Sequence, residues 1–135
     1  MVKDIFVNLP IKDLSKTMEF FKKLGFTFDP KFTDNKAGAL VLGDHIYAML
    51  LTEPFFKSFI KKEVADSSKT TEAIMAIGVE SREKVDELCD KAMEAGATKY
   101  KEADDYGWMY CRAFQDLDGH LWEVLFTDMS KFPKS

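Results

Sequence analysis

The chain has 135 residues, of which 46% are hydrophobic, 31% charged and 13% aromatic, with a formal net charge of -4. That length fits one domain with a real core, and the aromatic content excludes a disordered chain. The acidic balance argues against a nucleic-acid partner, and no stretch nears the roughly 18 uninterrupted apolar residues of a membrane helix. There are two cysteines, Cys89 and Cys111, and no long apolar run follows Met1. The expectation is a reduced, soluble, cytoplasmic single domain.

Residues 5–11 are short, apolar and rich in β-formers, with Val7, Leu9 and Ile11 alternating onto one face, and predict a strand. Asp13 is a candidate cap for a helix whose Leu14, Met18 and Phe21 fall at i, i+4 and i+7, joined by Leu24. Gly25 closes that helix. Strands follow at 26–28, 39–42 and 45–51, separated by Asp29-Pro30, Asp34-Asn35 and Gly43-Asp44. The second half repeats the plan. A strand at 73–79 leads to Ser81 as a cap, and Val85, Leu88, Ala92 and Ala95 form a helix stripe that ends at Gly96. Further strands are predicted around 98–101, 108–114 and 120–126.

The repeat has a register. Asp13 aligns with Ser81 at an offset of 68, which also pairs Phe6 with Ile74. The final strands align at an offset of 75, which lays His45 over His120 and Ala48 over Glu123. The chain therefore reads as two βαβββ modules, an α+β architecture. Module one spans about 1–53 and module two about 71–128, with an aromatic linker at about 54–70. In that linker Phe55, Phe56 and Phe59 are either a short helix packed on the sheet or an apolar flap.

Phe20-Phe21-Lys22-Lys23-Leu24-Gly25-Phe26 and, late in the chain, Asp116-Leu117-Asp118-Gly119-His120-Leu121-Trp122-Glu123 carry a resemblance. In this order, within a duplicated βαβββ plan, they resemble the glyoxalase/bleomycin-resistance/extradiol-dioxygenase (vicinal oxygen chelate) superfamily. One departure is Leu117, where members usually have Pro. The resemblance implies two modules forming an open, barrel-like cup for a small molecule. In metal-dependent members a divalent ion hangs from His or Glu on the first and last strands of each module. Lyases, dioxygenases and drug-binding proteins share the scaffold, so fold alone does not fix function.

Carried over residue by residue, the four ligand positions fall on Phe6, Ala48, Ile74 and Glu123. Only Glu123 is a ligand type, whereas a divalent site needs three or four N or O donors. Asn8 shares a face with Phe6 and is a weak substitute, and His45 and His120 sit where strands start, as polar turn residues. No metal cofactor is therefore expected.

Alternation sends Trp122, Val124 and Phe126 under the helices and turns Leu121, Glu123 and Leu125 to the open side. A carboxylate in such apolar company is suited to acid–base work or to a cationic ligand, or else is structural and held by Arg112 or a tyrosine. Tyr110 and Arg112 alternate with Cys111, and if they face the cup they would donate to a ligand. The resulting expectation is a homodimer that binds a small, largely apolar molecule, with Phe6, Asn8, Ala48, Ile74, Tyr110, Arg112 and Glu123 as ligand-binding residues. The alternative is a glyoxalase-type lyase or extradiol-type dioxygenase using Glu123 as an acid/base or with a non-standard metal. A third reading is a regulatory module whose cup is vestigial.

Overall fold

The structure is a computed structural model and describes residues 1–134. It divides between Asp66 and Ser67 into two compact units.

Unit one runs β1 (Ile5–Ile11), α1 (Leu14–Lys23), β2 (Thr27–Phe28), β3 (Ala37–Gly43), β4 (Ile46–Thr52) and α2 (Glu53–Lys57). Asp13 caps α1 by accepting from the Lys16 amide at 3.1 Å, which satisfies one of the helix's free N–H groups. Gly25, at φ 101°, takes the left-handed turn that stops the helix. The sheet order is β1-β4-β3-β2, with β1 parallel to β4 and the other pairs antiparallel. A parallel pair needs a crossover, and α1 lies within it. Leu14, Phe20, Phe21 and Leu24 are buried. Each contributes on the order of 1.5–3 kcal/mol relative to exposure. Gly38 lets α1 come close, because a Cβ there would lie 3.2–3.3 Å from Phe28, Leu14 and Met18 side-chain atoms.

Unit two repeats the order with β5 (Ile74–Gly78), α3 (Arg82–Glu94), β6 (Asp104–Asp105), β7 (Met109–Gln115) and β8 (Leu121–Thr127). Its sheet order is β5-β8-β7-β6, and β5 runs parallel to β8. Ser81 caps α3 through the Lys84 amide at 3.0 Å. Val85, Leu88, Cys89 and Ala92 form its buried stripe. The fold is thus α+β, with two four-stranded mixed sheets built on one plan, as the sequence repeat predicts.

Three local features differ from the sequence reading. The strand expected at 98–101 shrinks to a single bridge, Thr98 to Gln115, and the ladder resumes at Asp104. Between them the chain leaves the β7 edge, and the Lys101 side chain is drawn to Asp104 and Glu123. Two 3₁₀ turns, Pro30–Phe32 and Met129–Lys131, were not anticipated. Asp29 and Asp128 cap them through the amides of Lys31 and Ser130.

Candidate functional site

Each sheet has a helix-covered face and an open face, and the pairing fixes which residues lie on which. In unit two, Trp122 and Val124 are buried, and Phe114 pairs with Trp122 and stacks on it, centroids 6.4 Å apart. Their neighbours Leu121, Glu123 and Leu125 therefore take the open face, joined from β7 by Cys111 and Ala113 and from β5 by Ile74 and Ala76. In unit one the buried Ala48 and Leu50 mark the helix side. Phe6 and Asn8 share the open face with Tyr47 and Met49. Phe6 stacks flat on Tyr47 at 4.9 Å, and the Asn8 amide donates to the Phe6 carbonyl at 3.4 Å.

These facings correct the sequence register of the last strands. The 75-residue offset lays Ala48 over Glu123, yet Ala48 is fully buried on the helix side. The structural offset is 74, the distance from His45 (φ 65°) to Gly119 (φ 91°), the residues that make the left-handed turn before each last strand. The first strands agree, since Phe6 pairs with Tyr47 and Ile74 with Leu121. Met49, not Ala48, is the counterpart of Glu123. One residue of slip turns every side chain to the other face, and the shared His of Gly43-Asp44-His45 and Asp118-Gly119-His120 had masked it.

Tyr110 and Arg112 also need correcting as ligand-facing residues. Ala113 pairs with Glu123, so Tyr110 and Arg112 fall on the helix side. There the Tyr110 hydroxyl donates to Asp86 at 2.6 Å, and Arg112 bridges Asp86 and Asp90, each at 3.0 Å. Asp86 is held below the ordinary carboxylate range, first by the Tyr110 hydrogen bond and then by Arg112. Arg82 grips Asp105 at 2.6 Å and lies over the Tyr110 ring at 4.2 Å. Every member of this network has a partner, and it ties α3 to β7.

The residue that reaches Glu123 is Lys101, which the sequence reading missed. Its ammonium lies 3.2 Å from Glu123 Oε2 and 3.1 Å from Asp104 Oδ2. It keeps its proton above the ordinary lysine value, first through the bond to Asp104. The Cys111 thiol lies 3.6 Å from Glu123 Oε1. Burial, and then the Glu123 charge, push that thiol up to about 11, which leaves it a weak nucleophile. The Tyr100 hydroxyl is buried with no hydrogen-bond partner among the described residues, and burial followed by the Glu123 charge raises it. A lysine on an irregular segment carries no periodic signal, so sequence spacing could not have found it.

The donor set does not fit the divalent ion that the resemblance brings to mind. Phe6 and Ile74 offer no donor, Met49 offers a soft thioether, and Glu123 is paired with an ammonium. Among the described residues no three His, Cys, Asp or Glu side chains gather so as to hold a metal ion. Asp116 of the Asp-x-Asp-Gly-His run is turned inward, accepting from the amides of Asp118 and His120 at 2.9 and 3.0 Å and from Trp122 Nε1 at 2.9 Å. No helix among the described residues is long and apolar enough to cross a membrane.

Comparison with known proteins agrees with this fold. The family model of the glyoxalase/bleomycin resistance protein/dioxygenase superfamily matches residues 5–124, and the chain belongs to that family. Among solved structures, hypothetical protein SA1046 from S. aureus is 28% identical, with a TM-score of 0.77, over 93% of this chain and 95% of that one. A family enzyme from Burkholderia phytofirmans PsJN is 17% identical at TM-score 0.74, covering 90% of this chain and 96% of its own. The fosfomycin resistance protein FosX from Listeria monocytogenes is 19% identical at TM-score 0.67, covering 96% and 98%. The latter two likenesses show the fold alone. No curated protein matches the sequence.

Proposed function

We propose that this chain binds a small, largely apolar molecule on its open sheet surface and does so without a divalent metal. The observation that carries this reading is the pairing of Glu123, the one intact ligand-type residue of the family pattern, with Lys101. Around it the open face of unit two offers Leu121, Leu125 and the half-exposed Ile74. Unit one, taken by itself, carries the half-exposed Phe6 with Tyr47 and Met49 on the open face of its own sheet. Such apolar surface with a few polar groups suits an aromatic or aliphatic ligand better than a sugar or a nucleotide.

The test is a thermal-shift screen of apolar aromatic compounds run in EDTA. Binding raises the melting temperature by mass action, and the reading expects stabilising compounds whose effect EDTA leaves intact. Stabilisation that appears only with added divalent ion would overturn it. The alternative, an enzyme of glyoxalase or dioxygenase type, has one observation on its side: two protonatable groups, the Lys101 ammonium and the Cys111 thiol, lie within reach of Glu123.

The working unit we propose is a cytoplasmic homodimer. β1 and β5 are edge strands carrying half-exposed Ile5, Phe6 and Ile74, and proteins tend to cover such edges. The two free cysteines suit a reducing compartment. Light scattering at tens of micromolar should return the dimer mass, and a monomer mass would refute it.

A further inference from the structure

Glu123 occupies the position from which, by resemblance, metal-dependent members hold their ion, and here that carboxylate holds an ammonium of the chain itself. Lys101 Nζ has three N–H donors, and two point at Glu123 and Asp104, 3.2 and 3.1 Å away. A third of the Lys101 side chain is exposed, whereas Glu123 is 21% exposed. Asp104, on a two-residue strand, is 40% exposed and is the partner that solvent or a ligand can most readily replace. The Tyr100 hydroxyl is buried with no hydrogen-bond partner among the described residues and feels the Glu123 charge. Glu123 shares its face with Leu121 and Leu125.

From this arrangement we propose that Lys101 is a built-in cationic anchor, positioned by Glu123, that binds an anionic oxygen of an otherwise apolar ligand. The ligand class is an aromatic or aliphatic carboxylate, sulfonate or phosphonate. This rests on the apolar-ligand reading above and adds the charge of the ligand's polar end. The anion takes the free N–H of Lys101 and competes with Asp104, while Glu123 keeps the ammonium in place. Charge-assisted hydrogen bonds are about twice as strong as neutral ones, and the low-dielectric apolar flank strengthens them further.

Two fluorescent probes of matched ring size separate the parts of this account. One is 8-anilinonaphthalene-1-sulfonate, which carries the anion, and the other is N-phenyl-1-naphthylamine, which does not. Lys101→Met should weaken the sulfonate probe by about tenfold or more and leave the neutral probe within about twofold. Lys101→Arg should restore most of the sulfonate affinity by keeping the charge. Because Lys101→Met leaves Glu123 without its counter-ion, the double variant Lys101→Met/Glu123→Gln, which removes both charges, should give the same split between probes. Equal effects on both probes, or none on either, would overturn the anchor while leaving apolar binding intact. Failure of both probes to bind the wild-type chain would overturn the anchor and the apolar-ligand reading together.

Discussion

Trp122 Nε1 donates to Asp116 Oδ2 across 2.9 Å, and both residues are buried. The other oxygen of the same carboxylate takes the amides of Asp118 and His120. One aspartate thereby organises the turn that launches β8 and fixes the ring at the centre of the helix-covered face. Burial pushes the Asp116 carboxyl above the ordinary range, against the pull of His120 and the Trp122 hydrogen bond. Asp116, the first residue of the run that carries the family resemblance, is thus a turn-forming residue.

Trp122→Phe should therefore cost more than its lost ring area. It leaves a buried carboxylate oxygen without its donor, a loss of about 1–3 kcal/mol. Urea unfolding should show the unfolding free energy falling by that amount and the midpoint falling with it, and an unchanged midpoint would mean that the hydrogen bond contributes nothing.

Gly119 and Gly107 form a matched pair. Both are left-handed, at φ 91° and 82°, but a Cβ on Gly119 would lie 2.5 Å from the Ser67 carbonyl oxygen, whereas one on Gly107 meets nothing within 4 Å. Gly107→Ala should cost about 1–2 kcal/mol from backbone strain alone. Gly119→Ala should cost clearly more, because backbone must move as well. Equal losses in denaturant melts would count against the close approach.

Asp86 sets an acid sensitivity. Its carboxyl is lowered in the fold, first by the Tyr110 hydroxyl, then by Arg112 and by the nearby Arg82 charge. A lowered acid contributes stability that is present above its unfolded value, near 4, and is lost as pH falls through the folded value. Wild type should lose stability more steeply than Asp86→Asn between about pH 5 and pH 2. Parallel pH profiles would contradict this.

Much of the fold was legible because it rests on local rules. Asp13 and Ser81 were readable as caps and Gly25 and Gly96 as stops, and of the helix stripes Leu14, Phe21, Leu24, Val85, Leu88 and Ala92 are buried while Met18 and Ala95 are only partly so. The facing of Glu123 followed from alternation alone. What was not legible depends on register and on irregular chain. A single-residue difference between the two turns moved the counterpart of Glu123 from Ala48 to Met49. The face of Tyr110 and Arg112 follows from how β7 pairs with β8, and their partners Asp86 and Asp90 are far away in sequence. Lys101 gets its role from a break in the strand, where no periodicity points to it.

The thiols should be inert. Burial is the first cause that pushes Cys89 and Cys111 alike up to about 11, and both residues are buried. Native protein at pH 8 should react with Ellman's reagent only slowly, and both thiols should react at once in guanidinium. Rapid labelling of either in the native state would show an access route that the packing excludes.

Glu123, the chain's ligand-type glutamate, holds a lysine in place of a metal ion. Calorimetric titration of Mn²⁺, Ni²⁺ and Zn²⁺ into chelator-treated protein tests it most directly. No saturable one-to-one binding is expected for any of the three, since Glu123 is paired with Lys101 and no three His, Cys, Asp or Glu side chains gather to hold an ion among the described residues. Stoichiometric binding of one ion, abolished by Glu123→Gln, would contradict it.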